Sequence, residues 1–164
     1  KTKSYREKCN VIAHSYQKEV ISRMKRKATI MDEQKNIFQS LVQDLTSSMN
    51  IDIERILSVY LKKTPSLECI YILDENGIQT TDTVFNRNIK IKNEKMFSPT
   101  QSGDYHISKQ YYYYVITNTD KIYISSKYVS QATGNLCRTI SSLFVNKEGK
   151  KIVCVDFSAE KNRE

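Results

Sequence analysis

The chain of 164 residues has no tryptophan, two prolines and four glycines, and each shortage excludes something. So little Pro and Gly leaves no room for a long flexible linker. No apolar run approaches the ~20 residues that a membrane-spanning helix needs, and no signal-peptide pattern opens the chain. Its first residue is Lys1 rather than Met, which fits an excised fragment. Cysteine is limited to Cys9, Cys69, Cys137 and Cys154. They form no C-x-x-C pair and meet no paired-histidine spacing, so no metal site is expected. A Ser-His-Asp order, a Gly-rich phosphate loop, an H-E-x-x-H helix and a paired-carboxylate pattern are also missing, which argues against an enzyme and against a bound cofactor.

What is present describes an ordinary globular chain with 39% hydrophobic and 27% charged residues, far from the disordered regime. The formal net charge is +8, and part of the excess sits at Arg23, Lys25, Arg26 and Lys27. Such a cluster suits an anionic partner or simply a Lys-rich surface. No nucleic-acid motif accompanies it, so nucleic acid is not an expected partner. Three of the cysteines stand inside apolar, strand-like runs, where a free thiol packs as a small hydrophobe. Unpaired thiols favour a reducing compartment such as the cytoplasm.

From about Ser4 to Met49 no Gly or Pro interrupts the chain, and Tyr5, Cys9, Ile12, Tyr16 and Val20 recur at spacings of three and four. The pattern predicts one helix with an apolar stripe, resumed by Phe38, Leu41, Val42 and Leu45. At 1.5 Å per residue such a helix is about 65 Å long, more than a domain of this size can cover, so part of it must protrude, break or pair with another helix. His14 lies in this stretch and is given no role. A second helix carries Ile53, Ile56, Leu57, Tyr60 and Leu61, with Asn50 or Asp52 as its cap, and stops at Thr64-Pro65.

The pattern then changes. Residues 69–73 read as a strand, Asp74-Glu75-Asn76-Gly77 as a turn, and Ile78 to Thr83 as a second strand. Residues 86–103 are loop-like, with room for a short helix. Residues 121–126, Leu136 to Val145 and Ile152 to Phe157 read as three further strands. Residues 108–117 hold four consecutive tyrosines, whose propensity favours a strand. Helices followed by antiparallel strands indicate an α+β domain, with one sheet face on helices and the other over a loop-covered cavity.

This order of elements resembles the single Cache (PDC) sensor domain, a relative of PAS. The resemblance is carried by Ile70 to Gln79 (IYILDENGIQ), by Tyr123-Ile124-Ser125, and by Tyr128 to Gly134 (YVSQATG). It continues through Arg138 to Ser141 (RTIS), Glu148-Gly149 and Val153 to Phe157 (VCVDF), and covers roughly residues 37–158. It implies a PAS-like antiparallel sheet of about five strands with a long N-terminal helix and a second helix packed on it. Residues 1–36 would be a signalling or dimerisation extension and 37–164 the sensor domain. Family members often bind a ligand carboxylate through Arg-x-Trp-Tyr, and an amine through a later Tyr and a terminal Asp. Lys109-Gln110-Tyr111-Tyr112 stands where the first motif would be, which implies a helix there against the tyrosine propensity. Tyr128 and Asp156 match the second pair. The ligand-binding residues expected on this resemblance are Lys109, Tyr111, Tyr112, Tyr123, Tyr128, Ser130, Thr139 and Asp156. No catalytic residue is among them.

Asp156 is the sharpest polar residue, since a carboxylate after the apolar run Ile152 to Val155 costs several kcal/mol unless it is paired. Its alternatives are a ligand cation, a salt bridge to Arg138 or Lys109, or exposure at the strand end. His106, near Asp104 and the Lys109 motif, could join a pocket. The expected partners are a small molecule (a carboxylate or an amino-acid-like compound) and a second copy pairing through the N-terminal helix. Ala132 to Ser141 (ATGNLCRTIS) also resembles Cache domains attached to cyclic-di-GMP enzymes, implying an EAL or GGDEF output domain. Many Cache domains are extracytoplasmic, which is the alternative to the cytoplasm.

Overall fold

The computed structural model describes residues 2–93 and 95–159. The outermost residues of the two expected regions, Lys1 and 160–164, lie outside them. The chain divides into two compact units between Ile37 and Phe38.

The first unit consists of the greater part of α1 (Thr2–Thr46), an unbroken helix of 45 residues. Within it Tyr5, Ile12, Tyr16 and Met24 are about two-thirds exposed or more. No helix among the described residues is long and apolar enough to cross a membrane.

The second unit contains the last turns of α1, where Phe38, Leu41 and Leu45 are buried at spacings of three and four. Helix α2 (Asn50–Lys63) follows and buries Ile53, Leu57 and Leu61. The N-cap is Met49, in an extended conformation and without a side-chain cap bond, rather than Asn50 or Asp52. The side chain of Asn50 lies outside the described residues. Asp52 instead sits in the first turn and pairs with Arg55 at 3.2 Å. The Tyr60 hydroxyl donates to Asp44 at 2.7 Å and ties α2 to α1.

The strands are β1 (Leu67–Asp74), β2 (Val84–Phe85), β3 (Tyr123–Ile124), β4 (Tyr128–Val129), β5 (Leu136–Asn146) and β6 (Gly149–Ser158), with α3 (Gln110–Thr117) between β2 and β3. The sheet order is β2-β1-β6-β5-β3, β4 also pairs with β5, and every pairing is antiparallel. Residues 110–117 are therefore helical. The strand propensity of four tyrosines does not decide the backbone alone, and burial of Val115 against the sheet favours the helix.

Two expected strands are shorter than their composition suggests. Ile78 to Thr83 makes only isolated bridges, Leu73 with Gln79 and Ile78 with Tyr105. Gln79 makes the bridge to β1, and its buried amide donates to Thr81 O, Thr83 Oγ1 and Thr100 O in the loop that follows. The strand that pairs with β1 is β2. In residues 121–126 only Tyr123 and Ile124 form strand pairs; at Ser125 the backbone N–H still donates to Thr139 O, and its hydroxyl accepts the Thr139 N–H at 2.9 Å. Residues 86–103 form turns and no helix among their described residues.

Register assigns the faces, since directly opposed residues share one. Cys69, Asp156 and Thr139 are opposed, as are Tyr71, Cys154 and Ser141, and this face packs on α3. Ile70, Val155 and Ile140 lie on the reverse face with Phe157, all fully buried.

Candidate functional site

Asp156 is 3% exposed in the middle of the α3 face. Its Oδ1 accepts from the Thr139 hydroxyl at 2.7 Å and from the Tyr128 hydroxyl at 3.4 Å, and its Oδ2 accepts from the Cys69 thiol at 3.5 Å. Tyr128 and Thr139 are themselves 2.5 Å apart. Neither Arg138 nor Lys109 reaches the carboxylate: Arg138 Nε donates to Ser125 O, and Lys109 Nζ donates to Gln131 Oε1 at 3.1 Å. Among the described residues no side-chain cation forms an ion pair with it. Burial raises the Asp156 pKa, and the bonds from Thr139, Cys69 and Tyr128 oppose that rise.

The neighbours are held neutral. Burial first, and then the Asp156 charge, raise the pKa of Cys69, Tyr71, Cys154 and Tyr128. The Cys137 thiol is pushed up to about 12 by the same two causes. The site is thus a carboxylate amid neutral O–H and S–H donors. A second buried carboxylate, Glu68, stands in the irregular register between Leu67 and Cys69 and accepts from the Thr133 hydroxyl at 3.0 Å.

Beyond Tyr71 the wall continues with Tyr111 and His106. His106 stacks on Tyr71 at 5.4 Å between centroids, and Tyr111 meets Tyr71 edge-on at 6.0 Å. The Gln79 amide nitrogen is committed to oxygen acceptors, so its Oε1 faces His106 Nε2 at 3.0 Å and fixes the proton there. Nδ1 is then free to accept from the Tyr111 hydroxyl at 2.7 Å. Burial lowers the His106 pKa, Asp104 opposes this and Lys109 adds to it, which keeps the ring in that neutral form.

The structure brings Tyr128, Thr139 and Asp156 into direct contact, places Ser130 beside Cys137, and puts Tyr111 behind Tyr71. Tyr112 and Tyr123 also pack against the cluster of Cys69, Tyr71 and Cys154, while their hydroxyls donate elsewhere, to Glu75 O and to Gln110 Oε1, each at 3.0 Å. Lys109 turns to Gln131. Sequence reasoning missed Cys69, Tyr71, Glu68 and Gln79. Alternation along β1 marks Cys69 and Tyr71 as one face, but opposing them to Asp156 needs the register shift at Leu67/Cys69.

Asp156, Thr139, Cys69 and Cys154 are nearly or fully buried on this face. Two open grooves run along α1, one lined by residues such as Asn10 and His14 and the other by Tyr16 and Ile21. The Asp156 face is closed by α3 and by residues 130–135, which are held down from outside. Lys92 N donates to Thr133 O, Asn135 Nδ2 donates to Lys90 O, and Phe97 lies against Gly134. Gly134 has φ +75°, and a Cβ there would stand 2.7 Å from the Phe97 ring. Gly134→Ala is therefore expected to cost about 1–3 kcal/mol and to loosen this covering, seen as faster hydrogen exchange at residues 130–135. Unchanged exchange would show that the contact does not hold the loop.

No family model matches the chain. The ligand-binding domain of the Campylobacter jejuni chemoreceptor Tlp3, in complex with 4-methylisoleucine, superposes with a TM-score of 0.61 at 16% identity over 79% of this chain and 51% of that one. The ligand-binding domain of the Pseudomonas aeruginosa amino acid chemoreceptor PctC, in complex with GABA, gives 0.55 at 12% over 78% and 52%. The fold is that of the Cache/PDC sensor domains. The Bacillus subtilis YkuI protein, which has an EAL domain, shares this Cache/PDC fold with a TM-score of 0.56 at 21% over 85% of this chain and 36% of that one. At these identities the likeness is one of fold. The citrate (Re)-synthase of Syntrophus aciditrophicus is 27% identical over 88 residues, 54% of this chain. The chain spans about half the length of the chemoreceptor domains and 13% of the synthase.

Proposed function

We propose that the chain is the small-molecule-sensing part of a bacterial signal-transduction protein, with Asp156, Tyr128, Thr139, Ser130 and Tyr111 at the ligand and no catalytic role of its own. One observation carries this reading: a carboxylate buried to 3% exposure whose partners are all neutral donors. Burying that charge is unfavourable, and a ligand that offers Asp156 a positive group would relieve the cost. The chemoreceptor domains of the same fold, with isoleucine or GABA bound, support a ligand at a site of this kind.

Because the face is closed, entry requires residues 130–135 to lift, and the ligand-bound arrangement differs from the closed one. Only a ligand that favours one arrangement transmits anything. Residues 1–36 would carry that difference to an output domain, for which the EAL-bearing neighbour makes cyclic-di-GMP turnover one candidate. Thermal-shift screening followed by calorimetry over small amines and amino acids tests the reading. At least one compound is expected to raise the melting temperature and to lose tenfold or more in affinity in Tyr128→Phe. Absence of any binder, or hits indifferent to both Tyr128→Phe and Asp156→Asn, would remove it.

A second reading, a ligand-free dimerisation module, is favoured by the exposed stripe Tyr5, Ile12 and Tyr16 on α1. Sedimentation velocity distinguishes it. A dimer that dissociates on deletion of residues 1–36 supports pairing through the helix, and a monomer at every concentration rejects it.

A further inference from the structure

We propose that His106 is an acid-sensitive latch: a second proton on its ring breaks the bond to Tyr111 and loosens α3 from the sheet face that it covers. The latch is independent of the ligand reading of Asp156. Neutral imidazole carries one N–H, and the two partners of His106 match it. Gln79 Oε1 accepts at 3.0 Å, and the Tyr111 hydroxyl donates at 2.7 Å. The Gln79 amide is held against flipping, because its nitrogen donates to Thr81 O, Thr83 Oγ1 and Thr100 O. An imidazolium has two N–H groups, so Nδ1 then meets a hydroxyl that must swing its own proton away. That hydroxyl belongs to a ring packed against Tyr71, Leu73, Val115 and Cys154, and burial keeps the protons of Tyr71 and Cys154 in place.

His106 stands where three segments meet. Its backbone N–H donates to Gly77 O, and its carbonyl accepts from Lys109 N at the start of α3. Through Gln79 the ring is tied to residues 81–83 and Thr100, and through Tyr111 to the first turn of α3. Ser141 Oγ donates to Tyr111 O at 2.8 Å, so this turn keeps a tie to β5 when the ring lets go, and the opening is local. The groups that face the ring pull in both directions. On its own loop Asp104 favours the cation and Lys109 opposes it. From β1, Tyr71 stacks on the ring at 5.4 Å and 28°, a geometry that attracts a cation. From β6, the Asp156 charge reaches Tyr71 and Tyr111. Burial of a ring that is 2% exposed outweighs these and lowers the His106 pKa below its ordinary 6.5. Between the folded value and 6.5 the unfolded chain holds more protons, so stability of the latched form is lost as pH falls through that window.

NMR of the full chain tests this, with the His106 Cε1–H signal titrated from pH 8 to 4.5 and amide exchange, corrected for its intrinsic rate, followed over the same range. The chain has two histidines, so His14→Ala isolates the signal. Protection of residues 111–117 is expected to fall fivefold or more, with a midpoint below 6.5 that coincides with the ring titration, while β6 changes less than twofold. His106→Asn has no proton to gain and should lose the acid response. Tyr111→Phe removes the bond at every pH and should show low protection of α3 already at pH 7.5. Asp156 does not imitate the effect, since its protonation relieves a buried charge and responds to acid with the opposite sign. A ring that titrates while α3 stays protected, a ring that remains neutral down to pH 4.5, or an acid response retained in His106→Asn would overturn the inference. If His106→Asn failed to fold, the wild-type titration and Tyr111→Phe would decide it alone.

Discussion

Asp156→Asn is expected to stabilise the ligand-free protein while removing its response to ligand. Asparagine keeps an oxygen for Thr139 and Tyr128 and turns its amide toward the Cys69 sulfur, so the packing survives and the buried charge does not. Relief of a buried, unpaired charge is worth on the order of 1–2 kcal/mol, or roughly 2–8 °C in melting temperature for a chain of this size. The pH dependence fixes the sign. Burial raises the folded-state pKa of Asp156 above its ordinary 3.8. Between those two values the folded protein holds more protons than the unfolded one, so stability falls as pH rises. The advantage of the variant should therefore be absent below pH 3.8, grow as pH rises through the folded-state pKa, and level off above it. Melting curves of both proteins from pH 3.5 to 8 measure this. A wild type that gains on the variant with rising pH would mean that the carboxylate is stabilised as an anion, and the site would have to be recast around a cation not yet seen.

The helical half of the molecule was legible because its signals are local. Apolar spacings of three and four, an absence of Gly and Pro, and the Thr64-Pro65 stop each act within a few residues. The β5–β6 hairpin was legible for the same reason, with Asn146 Oδ1 accepting the Glu148 N–H across the turn. What failed was decided at long range. Ile78 to Thr83 has the composition of a strand, yet it bridges β1 at Gln79 alone and turns other bonds to residues 100–105. Tyr128 and Asp156 meet on one face of the sheet because β4 and β6 both pair with β5, which runs between them. Lys109 was expected beside them on the resemblance alone, and its side chain follows Gln131 instead.

Phe157→Ala, one residue along β6, should act in the opposite direction and more strongly. The ring is fully buried and opposes Leu67 on one side and Arg138 on the other, on the face that does not carry the site. Truncating a buried phenylalanine costs about 3–5 kcal/mol, transfer and cavity terms together. For a domain whose whole stability is about 5–15 kcal/mol, that lowers the melting temperature by roughly 10 °C or more. The remaining folded fraction should bind ligand as the wild type does, because Thr139, Tyr128 and Cys69 project from the other face. Denaturant titration gives the first quantity and calorimetry below the melting range the second. A loss under about 1 kcal/mol would contradict the face assignment, and a large change in affinity at preserved fold would show that the two faces are not independent. Strand alternation is what makes the two neighbours separable: the same backbone presents a charge that costs stability to one side and a ring that supplies it to the other.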